Sequence, residues 1–77
     1  MPFPHNLRHQ RLTQFFSQAE LARRAGLHTL TISRLEAGRA KPATRTVRAL
    51  AKALNITPGE LATPGEVAEA DKVSTHL

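Results

Sequence analysis

At 77 residues and 8.4 kDa, the chain forms at most one domain. Such a domain buries only about 60% of its unfolded surface, and a deep two-domain catalytic cleft is not expected. The chain has no cysteine, so neither disulfides nor thiolate metal sites staple the fold. Its net charge of +5 divides unevenly: residues 1–56 carry ten Lys and Arg against Glu20 and Glu36, whereas residues 57–77 carry Lys72 against four acids.

Every segment reads helical, with no alternating β-branched run long enough for a strand. The expected fold is all-α. A first helix is placed at about Pro4 to Phe15, with Leu7, Leu12, Phe15 and Phe16 as sparse apolar positions and Arg8 and Arg11 to one side. Ser17-Gln18-Ala19-Glu20 has the form of a capping box, in which the serine oxygen accepts from an orphan amide and the glutamate reaches back. It opens a second helix, about Gln18 to Ala25, which Gly26 ends as a left-handed cap.

A third helix follows from about Thr29 to Ala37, with Leu30, Ile32 and Leu35 as its apolar positions and Gly38 as its stop. The basic loop Arg39-Ala40-Lys41-Pro42 leads to a fourth helix, about Thr44 to Leu54, whose Val47, Leu50, Ala51 and Leu54 form a core stripe. Thr57-Pro58-Gly59-Glu60 is a further capping box with proline at the first helical position, giving a short fifth helix to about Ala62. Thr63-Pro64-Gly65-Glu66 repeats the signal: it predicts either a sixth helix through about Val73 or a frayed tail. The organisation expected is a five-helix domain over residues 1–62 and an acidic tail or short helix over 63–77.

Residues 18–37 sharpen this outline. Ala22 is small where two helices cross, Gly26 supplies the turn, and Leu21, Leu27, Ile32 and Leu35 wedge between the helices. These positions satisfy the geometry of a helix-turn-helix, whose second helix enters the major groove of DNA.

On these residues the chain resembles the phage-repressor-like (Xre/Cro-type) helix-turn-helix family. The likeness is carried by Ser17-Gln18-Ala19-Glu20-Leu21-Ala22, Gly26, Thr31-Ile32-Ser33-Arg34-Leu35-Glu36, Gly38, Pro42 and Leu50-Ala51-Lys52-Ala53-Leu54-Asn55-Ile56, and spans about residues 6–62. It implies a five-helix, lambda-repressor-like bundle that binds double-stranded DNA, usually as a homodimer on a palindromic operator. By the same resemblance, Thr29, Leu30, Ser33 and Arg34 would face bases, and Gln18, Arg39 and Lys41 would contact phosphates. Arg11 and Glu36 would form a buried ion pair, and Leu61 with Val67 would lie at the dimer interface.

Three positions depart from the family pattern. Leu30 stands where a polar base reader is frequent and favours a thymine methyl. Ala37 replaces a frequent asparagine. Phe15 replaces the usual glycine, so the exit from the first helix is expected to differ.

Plainer readings stand beside the functional ones. Arg34 also reads as a solvated arginine, Leu30 as a packing contact and Gln18 as a helix cap, while Arg23, Arg24, Arg48 and Lys52 read as solvent-facing. His5 and His9 lie four apart but have no third ligand nearby, so no metal is expected. Three phenylalanines, with no Trp or Tyr, are too few stacking platforms for the usual single-strand or RNA readers. Nothing in the chain suggests catalysis or calls for a cofactor: no nucleophile–base pairing, carboxylate pair or phosphate-cradling glycine loop appears.

The basic body is the electrostatic outline of a polyanion binder, although solubility alone also favours such a surface. The leading reading is a non-enzymatic transcriptional regulator, a repressor acting by occupancy. The alternatives are an antitoxin-type regulator with a protein partner at its acidic tail, and a protein-binding adaptor with incidental DNA affinity. Met-Pro-Phe-Pro-His lacks the basic and apolar regions of a signal peptide, and no apolar run approaches the roughly 18 residues of a membrane span. A soluble, cytoplasmic protein is expected.

Overall fold

The computed structural model describes residues 1–68. They form five α-helices: α1 (Phe3–Thr13), α2 (Gln18–Ala25), α3 (Thr29–Glu36), α4 (Thr44–Leu54) and α5 (Pro58–Leu61), followed by one 3-10 turn, Pro64–Glu66. No strand occurs among the described residues. α2 packs on α3 and α4, α1 on α3 and α5, and α4 on α5. The packing closes a ring in which α3 lies between α1 and α2, with one edge outward.

The core is a single cluster to which every helix contributes. Phe3 and Leu7 come from α1, Leu21 and Ala22 from α2, and Ile32 and Leu35 from α3. Val47, Leu50, Ala51 and Leu54 line the inner stripe of α4, and Leu61 closes the cluster from α5. Ala22 is fully buried, as the close helix crossing requires.

Helix ends are set by local chemistry. Ser17 Oγ accepts from the Glu20 N–H at 3.0 Å, which starts α2. Only half of the expected box forms there, because the Glu20 carboxylate turns to Arg24 at 3.3 Å and Arg23 at 3.9 Å. The Thr57–Glu60 box is complete. Four helices end in one recurrent turn, with a left-handed residue at Phe15, Gly26, Gly38 and Asn55. In each, the next N–H reaches back five residues: Phe16 to Arg11, Leu27 to Ala22, Arg39 to Arg34 and Ile56 to Ala51.

Three expectations need correction. α1 stops at Thr13, not Phe15, and Phe15 keeps the left-handed turn of the glycine it replaces, at φ 60°. The exit from α1 is held closed by Arg11, whose Nη1 donates to the Phe16 carbonyl at 2.8 Å. The sixth helix reduces to one 3-10 turn, because Val67 is extended at φ −90° and ψ 145°; its predicted course to Val73, with Glu69 and Asp71, lies outside the described residues. Finally, Leu61 is 1% exposed and belongs to the core, so it is not available to a dimer interface. Val67 is half-buried and packs against the same core.

Candidate nucleic-acid interface

The inner edge of α3 is fixed by Ile32 and Leu35, so helical periodicity turns positions 29, 30, 33, 34 and 37 outward. Thr29, Leu30 and Arg34 are exposed and Ser33 is half-buried. Leu30 is 57% exposed, an apolar side chain that the core does not use. Arg39 and Lys41 are exposed on the loop that follows α3. A cleft between α3 and the start of α4 brings Arg34 together with Thr31, Lys41 and Thr46.

The back of α3 is tied to the bundle by a polar network. Arg11 grips Glu36 with two parallel bonds, Nε to Oε2 at 2.6 Å and Nη2 to Oε1 at 2.9 Å. Both side chains are nearly excluded from solvent. The Arg11 pKa is held above its ordinary range by the hydrogen bond to Glu36, so this guanidinium stays charged. Gln18 joins the same carboxylate, its Nε2 donating to Glu36 Oε1 at 3.1 Å. No buried side-chain polar atom among the described residues lacks a partner.

The structure thus gathers the sequence-predicted residues into two groups. Thr29, Leu30, Ser33, Arg34, Arg39 and Lys41 share the outward region of α3 and its following loop. Arg11, Glu36 and Gln18 form the internal brace behind them. The helix cap is Ser17 rather than Gln18, whose side-chain amide donates to Glu36. Leu61 belongs to neither group.

Sequence reasoning placed the start of α4 correctly at Thr44 but did not count it beside the basic loop. Its N-cap, Ala43, has no side-chain acceptor, and the helix opens beside Lys41 and Thr46. A helix N-terminus carries a partial positive charge and free amides that favour anions. The available signal was the absence of a capping residue at Ala43 in a basic stretch. His5 and His9 join no metal-binding group, since none with three suitable side chains occurs among the described residues. No helix among them is long and apolar enough to cross a membrane.

The comparisons with known proteins decide the family. The helix-turn-helix family profile matches residues 7–61. The chain belongs to this helix-turn-helix family of DNA-binding regulators. Its fold is similar to that of the restriction-modification controller protein C.AhdI from Aeromonas hydrophila, at 34% identity and TM-score 0.75, covering 77% of this chain and 89% of that one. The P22 c2 repressor in complex with a synthetic operator superposes with TM-score 0.76 at 27% identity, covering 82% and 96% of the two chains. A hypothetical transcription factor from Neisseria, NHTF, matches at 27% identity and TM-score 0.75, covering 95% of this chain and 79% of that one. No curated protein sequence matched the chain. These helix-turn-helix relatives share the lambda-repressor-like architecture with the present chain.

Proposed function

We propose that the protein is a transcriptional repressor that places α3 in the major groove of a palindromic operator and acts by occupancy. The observation that carries this reading is the outward edge of α3, where exposed Leu30 and Arg34 stand beside the basic Arg39–Lys41 loop. A helix of this kind reads base edges, while flanking cations and amides set register on the phosphates. Thr29, Leu30, Ser33 and Arg34 read bases, with Leu30 favouring a thymine methyl. Arg39, Lys41 and the amide end of α2 at Gln18 contact the backbone. The P22 c2 repressor, a structural relative, was crystallised with a synthetic operator, which supports operator DNA as the ligand.

A chain of this size covers a short half-site, and two-fold pairing with half-sites about 34 Å apart is the usual solution. With Leu61 in the core, the pairing surface is the outer side of α5 and the turn after it, where Pro58, Ala62, Pro64 and Val67 line a shallow apolar groove against α4.

Selection of bound sequences from a random duplex pool tests the whole reading. A palindromic consensus is expected from the wild-type protein. Arg34→Ala should relax preference at one position of each half-site, costing about 1–3 kcal/mol there, while Lys41→Ala should weaken all sequences alike and reduce the salt slope by about one. A pool with no consensus, or an Arg34→Ala consensus identical to wild type, refutes the base-reading role.

A further inference from the structure

The start of α1, the loop after α3 and the end of the described chain meet at one shallow cleft, lined by Phe3, Pro4, Arg39, Lys41, Pro42 and Glu66 among others. The N-cap of α1 is Pro2, which supplies no side-chain acceptor. The acceptor comes instead from the far end of the chain. Glu66 Oε2 accepts from the Phe3 N–H at 2.7 Å, while its Oε1 accepts from the Thr63 N–H at 2.9 Å. The carboxylate also faces the positive end of an eleven-residue helix. Two residues on, the Ala68 N–H donates to the Pro42 carbonyl at 2.8 Å. Residues 63–68 therefore run as a strap from α1 to the loop after α3, hydrogen-bonded to both.

The loop is held at two ends. Its start hangs from α3, through Gly38 N–H to Leu35 at 3.2 Å and Arg39 N–H to Arg34 at 2.9 Å. Its far end is buried Pro42, the residue that Ala68 holds. Between these two points Ala40 and Lys41 are exposed. Fixing both ends of so short a segment removes most of its conformational freedom before any ligand arrives.

We propose that Glu66 is a positioning residue for phosphate contact: the strap 63–68 braces the Arg39–Pro42 loop so that Arg39 and Lys41 are already placed for the DNA backbone. This rests on the DNA-binding reading given above. Groups ordered in advance lose less entropy on binding, so the brace raises affinity without touching DNA.

Arg39 and Lys41 line the cleft with Glu66, and the N-terminal ammonium also acts on its carboxylate, so informative variants keep the charge. Glu66→Asp shortens the side chain by one methylene and cannot span both Phe3 and Thr63. Ala68→Pro removes the amide that holds Pro42. Well below their melting temperatures, each variant is expected to bind duplex DNA of any sequence about three- to tenfold more weakly, the effect of leaving one or two side chains to be ordered on binding. The selected consensus should not change, and neither variant should add a loss in a protein already carrying Arg39→Ala and Lys41→Ala. In the free protein, the backbone order parameters of Ala40 and Lys41 should fall. Unchanged order parameters at those two residues, or wild-type affinity in a Glu66→Asp variant whose Phe3 amide has lost protection, overturns the proposal. A looser loop backbone in the variants, alongside a wild-type protein with no salt-dependent duplex binding, removes the DNA reading and with it the purpose assigned to the brace.

Discussion

The α1–α2 and α2–α3 corners are built on the same turn with different residues. In the first, Phe16 N–H reaches the Arg11 carbonyl at 3.1 Å; in the second, Leu27 N–H reaches the Ala22 carbonyl at 2.8 Å. The left-handed residue is Phe15 at φ 60° in one and Gly26 at φ 71° in the other. Glycine adopts this conformation freely, whereas a side chain there costs about 1–2 kcal/mol. Phe15 gains little in return, being 92% exposed. The strained corner is also the one threaded by charge: Arg11 holds both the Phe16 carbonyl and Glu36, and Gln18 holds Glu36 from the other side. The relaxed corner closes on Leu27, which simply packs against the core. A polar network at one corner thus does the work that residue choice does at the other.

Removing the network should have the largest effect. Glu36→Ala or Arg11→Ala leaves a buried charge without its partner and is expected to cost about 3–5 kcal/mol. Whole domains are stable by only about 5–15 kcal/mol, so thermal melts should show near-complete loss of cooperative folding. Replacing both with fitted apolar residues, Arg11→Met with Glu36→Leu, should be much milder. Two additive effects below about 1 kcal/mol would mean that the pair is not buried in solution.

Giving the relaxed corner the strain of the other comes next. Gly26→Ala is expected to cost about 1–2 kcal/mol, and the cost is purely conformational, because a β-carbon there would meet nothing within 4 Å. No charged brace exists at that corner to absorb it. An unchanged melting temperature would remove strain from the explanation of both corners.

The converse change is smaller. Phe15→Gly relieves about 1–2 kcal/mol of left-handed strain but adds about 0.5–1 kcal/mol of freedom to the unfolded chain. Net stabilisation of at most about 1.5 kcal/mol should appear in denaturant melts, and it should be larger in the Arg11→Met, Glu36→Leu background, where the turn has lost its clamp. Destabilisation by Phe15→Gly would show that the ring supports the fold.

The smallest effect lies outside both corners and serves as their control. The Glu66 carboxyl is held below its ordinary value of 4.5, chiefly by the Thr63 N–H and also by the Phe3 N–H. A depressed folded-state pKa contributes stability that is full above 4.5 and lost as pH falls through the folded value. Glu66→Gln should flatten the stability–pH curve in that window only. Arg11, whose pKa is raised, keeps its charge throughout. An unchanged acid limb in Glu66→Gln would mean that Glu66 is unpaired in solution.

Much of the architecture is legible where chemistry is local. Ser17 and Gly26 bound α2 at the residues observed, and the apolar stripe of α4 gives its span because its periodicity is uninterrupted. The end of α1 is not legible, since no glycine marks it and the turn is held by an arginine four residues upstream. Leu61 illustrates another limit: in a helix of one turn, periodicity cannot distinguish a core side chain from an interface one. The outward residues of α3, like the Arg11–Glu36 pair, follow from family resemblance, since periodicity alone counts exposed Leu30 with the apolar positions Ile32 and Leu35. The third member, Gln18, and the reach of Glu66 across 63 residues depend on packing that no local pattern encodes.

The side chains and amides of α1 also order events in time. Its partners lie ever further along the chain: Phe16 and Glu36 for Arg11, Leu54 for Gln14, Glu60 and Leu61 for Asn6, and Glu66 for Phe3. α1 gains its last tie late in the chain, because ties of high sequence separation form only after their far ends exist. At a synthesis rate of about 5–20 residues per second, several seconds separate the end of α1 from Glu66. α1 can meet α3 through Glu36 as soon as that helix exists, but its final seam closes only when Glu66 reaches Phe3.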